Sequence, residues 1–196
     1  MEKPRHKPSI GHGAAGLVLA VVLLGAIGLG PSAPAAEATS VEYKIKAGYL
    51  LKFASFVEWP TNAFPSPATP IILGVLGKDP FGADLDSTIG DKRVEGRALR
   101  IRRLDEGDDL TGCHILFISS SERKRLPQIL DGLKNSCTLT VSEFDEFTQS
   151  GGMIGFVRQE NTIRFEINVE AARGAGLKLS SKLLQVAKLS EARRKN

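Results

Sequence analysis

The chain has 196 residues, 42% of them hydrophobic and 24% charged, with a formal net charge of +4. That balance suits a folded domain and excludes a disordered acidic or basic tail. Without its first 35 residues the chain holds 23 basic and 21 acidic side chains, and a net charge of +2 gives little support to nucleic-acid binding.

Residues 1–35 read as an export signal. Lys3, Arg5 and Lys7 precede the apolar run AAGLVLAVVLLGAIGLG, and PSAPAAEA places Ala33 and Ala35 at the small-residue positions of a cleavage site. The alternative is an uncleaved anchor; the apolar run of 17 residues with four glycines is short for a bilayer span. Both readings place the rest outside the cytoplasm, in the periplasm.

Residues 36–41 are expected to form a tether and Glu42 to Glu58 a helix, with Ile45, Tyr49, Leu50, Phe53, Phe56 and Val57 on its apolar stripe and Pro60 marking its end. PTNAFPSPATP, with four prolines in eleven residues, predicts a stiff surface loop. IILGVL is then a buried strand and FGADLDSTIG a short helix. ALRIRRL sets Leu99 and Ile101 on one face against Arg100 and Arg102 on the other. HILFIS, apolar on both faces, belongs in the centre of a sheet. Ser119 and Glu122 open a helix that buries Leu126, Ile129, Leu130 and Leu133.

CTLTVS is the next strand, and Ser142 with Asp145 are expected to cap a brief helix carrying Phe144 and Phe147. After a turn at Gly151 and Gly152, two strands pair around Gln159 to Asn161, the second with Ile163, Phe165 and Ile167 inward. A last helix, SSKLLQVAKL, is expected to bury Leu183, Leu184, Val186 and Ala187, with Leu179 packing at its approach. The order of elements predicts one α/β domain: a mainly parallel sheet flanked by helices, with a C-terminal antiparallel hairpin and a terminal helix.

Catalytic and ligand-binding patterns are sparse. His114 is the sole histidine after the leader and sits at a strand entry without an evident acid–base partner, so it reads as structural. GVLGKDPFG departs from the phosphate-loop spacing, with Asp79 where a Ser or Thr is needed. DEGDD lacks the alternation of a calcium loop. No cofactor, metal or enzyme activity is expected.

Cys113 and Cys137 open two successive strands, and neighbouring strands lie about 4.8 Å apart, within reach of a disulfide. In an oxidising compartment that bridge is the expected state, contributing about 3–4 kcal/mol. Unpaired or redox-active thiols and metal ligation with His114 remain as alternatives. Arg93, Arg97, Arg100, Arg102 and Arg103 form the densest basic cluster. Its acidic neighbours and lack of interleaved aromatics argue against nucleic acid, leaving a solvated face or, at Arg97, Arg100 and Arg102, a surface for an acidic protein partner.

Three strings are more specific: EYKIKAGYLLKFASFVEWP, LTGCHILFIS and GGMIGFVRQENTIRFEINVEAARGAGLKLSSKLLQVAKL. Over residues 42–190 they resemble the YfiR family of exported proteins. Trp59 and Pro60 match its helix-end motif, Cys113 and His114 its strand entry, Phe165 to Asn168 its hairpin strand, and Gly176, Leu177, Ser180, Leu183 and Leu184 its terminal motif. The resemblance implies a non-enzymatic periplasmic homodimer that binds the periplasmic part of an inner-membrane diguanylate cyclase and represses cyclic-di-GMP signalling. It also implies relief by an outer-membrane lipoprotein or by redox stress. The family's two disulfides correspond here to one cysteine pair at most. The alternative is a periplasmic binding module for a small ligand or another envelope protein.

Overall fold

The computed structural model describes residues 34–194 except Asn161, with side chains described over 40–187 apart from that residue. The leader expected over 1–35 lies outside the described residues but for Pro34 and Ala35, which begin the first helix. Among the described residues no helix is long and apolar enough to cross a membrane.

Helix α1 spans Pro34–Phe56 and is followed directly by strand β1, Val57–Glu58. The expected tether at 36–41 is therefore helical, and the helix stops two residues before Glu58. Its terminal carbonyl is satisfied from elsewhere: Ser180 N–H donates to Phe56 O at 2.9 Å. The buried stripe runs through Ala47, Leu50, Phe53, Ala54 and Val57. Lys46 lies one turn above Leu50 and is 4% exposed, while Ile45, expected on the buried stripe, is 45% exposed. Lys46 is tolerated because its ammonium meets Glu42 at 2.5 Å and Glu143 at 2.6 Å.

Beyond the proline-rich loop come β2 (Ile71–Leu76), α2 (Ala83–Ile89), β3 (Arg93–Val94) and β4 (Arg97–Leu104). Next are β5 (Ile115–Ile118), α3 (Leu126–Gly132) and β6 (Leu139–Ser142). The chain continues with β7 (Ile154–Gln159), β8 (Thr162–Ile167), α4 (Val169–Gly174), β9 (Lys178–Leu179) and α5 (Ser181–Arg194). Seven strands form one sheet in the order β3-β4-β2-β5-β6-β7-β8, and β1 pairs with β9 in a separate antiparallel ribbon. The pairings from β4 through β7 are parallel, whereas β3–β4 and β7–β8 are antiparallel. The sheet is thus mixed, with antiparallel strands at both edges rather than at the C-terminal end alone.

Strand alternation divides the core into two layers. Ile71, Leu73, Val75, Ile115, Phe117, Leu139 and Val141 join the cluster covered by α1, α2 and α5. Leu76, Leu104, Leu116 and Ile118 join the cluster covered by α3. The centre of the first layer is aromatic: Phe53 stacks on Phe156 at 5.9 Å and meets Phe165 edge-on at 5.2 Å.

Ser119 caps, as the capping pattern predicts, but the turns it opens at Ser120–Arg125 are 3-10 in form before α3 begins. Pro127, lacking an N–H, cannot extend an α-helix through this point. The helix expected after Ser142 is instead a chain of turns. Glu146 has φ +64, a left-handed conformation that no α-helix continues through. Gly152 is required there, because a Cβ would stand 2.3 Å from the Phe147 ring. In α5, Leu183 and Ala187 face inward while Val186 is 44% exposed, against the expected burial of all three.

Candidate functional site

At the amino ends of β2 and β4, the proline-rich loop folds back over the sheet and is held there by Arg97. The guanidinium donates to three carbonyls, Ser66 O at 2.8 Å, Pro67 O at 2.9 Å and Thr69 O at 2.8 Å, and lies 3.9 Å from the centre of the Phe64 ring. Phe64 in turn stacks on His114 at 4.4 Å with the rings 12° apart, and Trp59 meets both edge-on.

The His114 ring bridges two main-chain groups. Ile72 N–H donates to Nδ1 at 3.1 Å, which leaves the proton on Nε2 to donate to Ala63 O at 3.1 Å. Burial holds its pKa below the usual histidine range, against the smaller opposing effect of the Ala63 bond. Both ring nitrogens are committed to structure, which leaves neither for proton transfer.

This corner encloses a cleft of about 520 Å³ bounded by Val57, Trp59, Phe64, Pro65, Val94 and Arg97. Trp59 is half-buried, and its Nε1 is buried without a hydrogen-bond partner. Trp59 therefore forms part of the wall of a concave feature, while Pro60, outside the lining, accepts from Ala63 N–H at 2.9 Å in the turn that follows. The other two motif residues build the core: Phe165 is 2% exposed in the aromatic cluster. Asn168 caps α4 by accepting from Ala171 N–H at 3.0 Å and donates to Thr148 O at 2.9 Å. The sequence reading had no α4, although Asn168 followed by Glu170 carries the signal of a helix start.

The basic residues of β4 separate into different tasks. Arg102 points to the opposite face from Arg97 and donates to Thr111 O and Asp109 O, fastening the 105–113 loop. Arg103 bonds Asp79 at 2.8 Å and Asp86 at 2.6 Å, tying α2 to the strand. That hydrogen bond is the main reason Asp86 is held below the ordinary carboxylate range. Arg100 is exposed, and no partner for its side chain is found among the described residues.

The expected disulfide is not formed: Cys113 and Cys137 are free thiols. The chain bends at His114, so Cys113 falls out of strand alternation with Ile115. Its thiol enters the α3-side layer, 2.9 Å from where a Cβ on Gly74 would stand, and Cys137 packs against the opposite layer. The sheet lies between the two sulfurs. Burial raises the Cys113 pKa, so this thiol stays protonated and unreactive.

Parallel strands β2, β4, β5, β6 and β7 stand in the spatial order second, first, third, fourth, fifth, a doubly wound arrangement whose usual ligand crevice lies beyond the carboxyl ends of β2 and β5. Here the chain's own side chains occupy that crevice. Lys78 N–H donates to Ser121 Oγ at 3.1 Å, Ser121 donates to Glu122, and Arg125 closes on Glu122 at 2.7 Å. A Cβ at Gly77 would stand 2.4 Å from Ser121 Oγ. Among the described residues no group of three or more His, Cys, Asp or Glu side chains is placed to hold a metal ion.

Among curated proteins no sequence match is found. The family model described as YfiR/HmsC-like matches residues 43–188, from the first helix into the last, a range that includes Trp59, the His114 bridge, the aromatic hairpin and the Asn168 cap. This chain belongs to the YfiR/HmsC-like family.

Proposed function

We propose that this protein is an exported, non-enzymatic binding module that engages the periplasmic part of a membrane-bound diguanylate cyclase and lowers cyclic-di-GMP output. The observation that carries this reading is the family match over residues 43–188. The geometry is compatible with it: Arg97 and His114 in the corner and Ser121, Glu122 and Arg125 in the crevice are spent on contacts within the chain, and on β4 Arg100 is exposed with no side-chain partner among the described residues. Repression requires tighter binding to the inactive cyclase, since equal affinity for both conformations shifts no population. A homodimer and a relieving outer-membrane lipoprotein belong to the same reading.

Deleting the gene is expected to raise cyclic-di-GMP, and an exported copy to lower it again. An unchanged nucleotide level on deletion, together with no binding by the purified periplasmic parts of the organism's membrane-bound diguanylate cyclases, rejects repression. A second reading, an envelope module for a small ligand, is favoured by the 520 Å³ cleft with the unpartnered Trp59 Nε1 on its wall.

A further inference from the structure

The outer edge of β4 is open where the strand outruns its neighbour. β3 has two residues and pairs only Arg93 with Ala98 and Val94 with Arg97, whereas β4 continues to Leu104. The direction of each main-chain group follows from strand parity. Gly77 N–H, at the end of β2, bonds Leu104 O, so the even-numbered residues of β4 face β2. Leu99 N–H bonds Lys92 O on the other side, so the odd-numbered residues face outward. Ile101 and Arg103 therefore present their N–H and C=O groups along an edge that no described strand covers.

The charges near this edge are not arranged to block it. Arg103 is drawn back over α2 by Asp79 and Asp86, and Arg102 is drawn under the sheet by the 105–113 loop. What remains is cationic and unspent. Lys92 and Arg100 flank a hollow of about 260 Å³ at the corner where β3 ends, with Arg93 and a single carboxylate, Asp91, on its rim. Lys92 and Arg100 are exposed, and no side-chain partner for either is found among the described residues.

We infer that an extended acidic segment of a protein partner adds as a strand to this edge, pairing with the main chain of Ile101 and Arg103 and setting a carboxylate between Lys92 and Arg100. Main-chain bonds supply register and much of the affinity, and the two cations select for acidic sequence. This deepens the proposed function, on which it rests for the partner's location, by giving the binding mode.

Residue-resolved amide exchange on the purified exported chain tests it with two probes. One is the periplasmic part of a membrane-bound diguanylate cyclase from the same organism; the other is a synthetic peptide of about six residues alternating Glu and Val. In the free protein the Ile101 and Arg103 amides exchange fast and those of Arg100 and Arg102 slowly. With either probe bound, the first two slow by roughly tenfold or more, and Arg100→Glu weakens that binding by roughly tenfold while leaving the melting temperature unchanged. If neither probe protects Ile101 and Arg103, strand addition is overturned. Binding of the cyclase without that protection removes the mode and keeps the regulatory reading. Protection by the peptide with no binding of the cyclase keeps the edge and removes the regulatory reading.

Discussion

Arg97 and Arg100 stand three residues apart on one strand and face different demands. Arg97 gathers three carbonyls and an aromatic ring, so the loop it holds depends on it. Arg100 contributes to nothing found inside the fold. Clustered arginines in a sequence therefore do not mark one surface: each guanidinium goes first to the carbonyls and carboxylates in reach, and what is left over is available to a partner.

The largest expected effect separates these two residues. Arg97→Ala should destabilise the domain by about 1.5–3 kcal/mol, through lost charged hydrogen bonds and the ring contact. Arg100→Ala should stay within about 0.5 kcal/mol. Urea denaturation of both variants checks the contrast, and equal losses would abolish it.

His114 sharpens the same comparison by pH. Its folded pKa lies below that of the unfolded chain, so the unfolded state takes up the proton first as pH falls. The stability contributed by the neutral ring is whole above about pH 6.5 and is lost progressively below it. A thermal melt series from neutral to mildly acidic pH should show this decline, and His114→Gln should flatten it from a lower starting stability. A wild-type profile no steeper than that of the variant would contradict the bridging role.

A smaller effect concerns the thiols. Cys137, partly exposed, should react with an alkylating reagent in the native protein, and Cys113 only on unfolding. Mass spectrometry after brief labelling reads this directly, and a bridged peptide in a non-reducing digest would overturn the assignment of two free thiols.

The sequence revealed elements where the apolar pattern was unbroken or periodic: β2 and β5 are continuous apolar runs, and β8 and α3 follow their periods. It misplaced residues where a long-range partner decides. Lys46 is buried because Glu143, distant in the chain, meets it, whereas the helical pattern alone puts Ile45 on the buried stripe and Lys46 outside it. Cys113 and Cys137 looked like facing strand starts, and a bend at His114, invisible in residue type, sends one thiol through to the other layer. The β1–β9 ribbon was missed because two-residue strands carry no period. Of the residues at the corner, Trp59 and Arg97 were singled out by the sequence, the first as a motif residue and the second as a member of the basic cluster. The division of labour among the arginines was not, since it depends on where the loops lie.

The central claim is that this domain binds a cyclase's periplasmic part through a surface and not through a catalytic pocket. Titration calorimetry of that cyclase domain against wild type, Arg100→Glu and Arg97→Lys tests it most directly. The expected result is binding by wild type and by Arg97→Lys wherever the latter remains folded, with roughly tenfold weaker binding by Arg100→Glu at unchanged melting temperature. Failure of the wild-type protein to bind, or equal affinity for wild type and Arg100→Glu, would contradict the account.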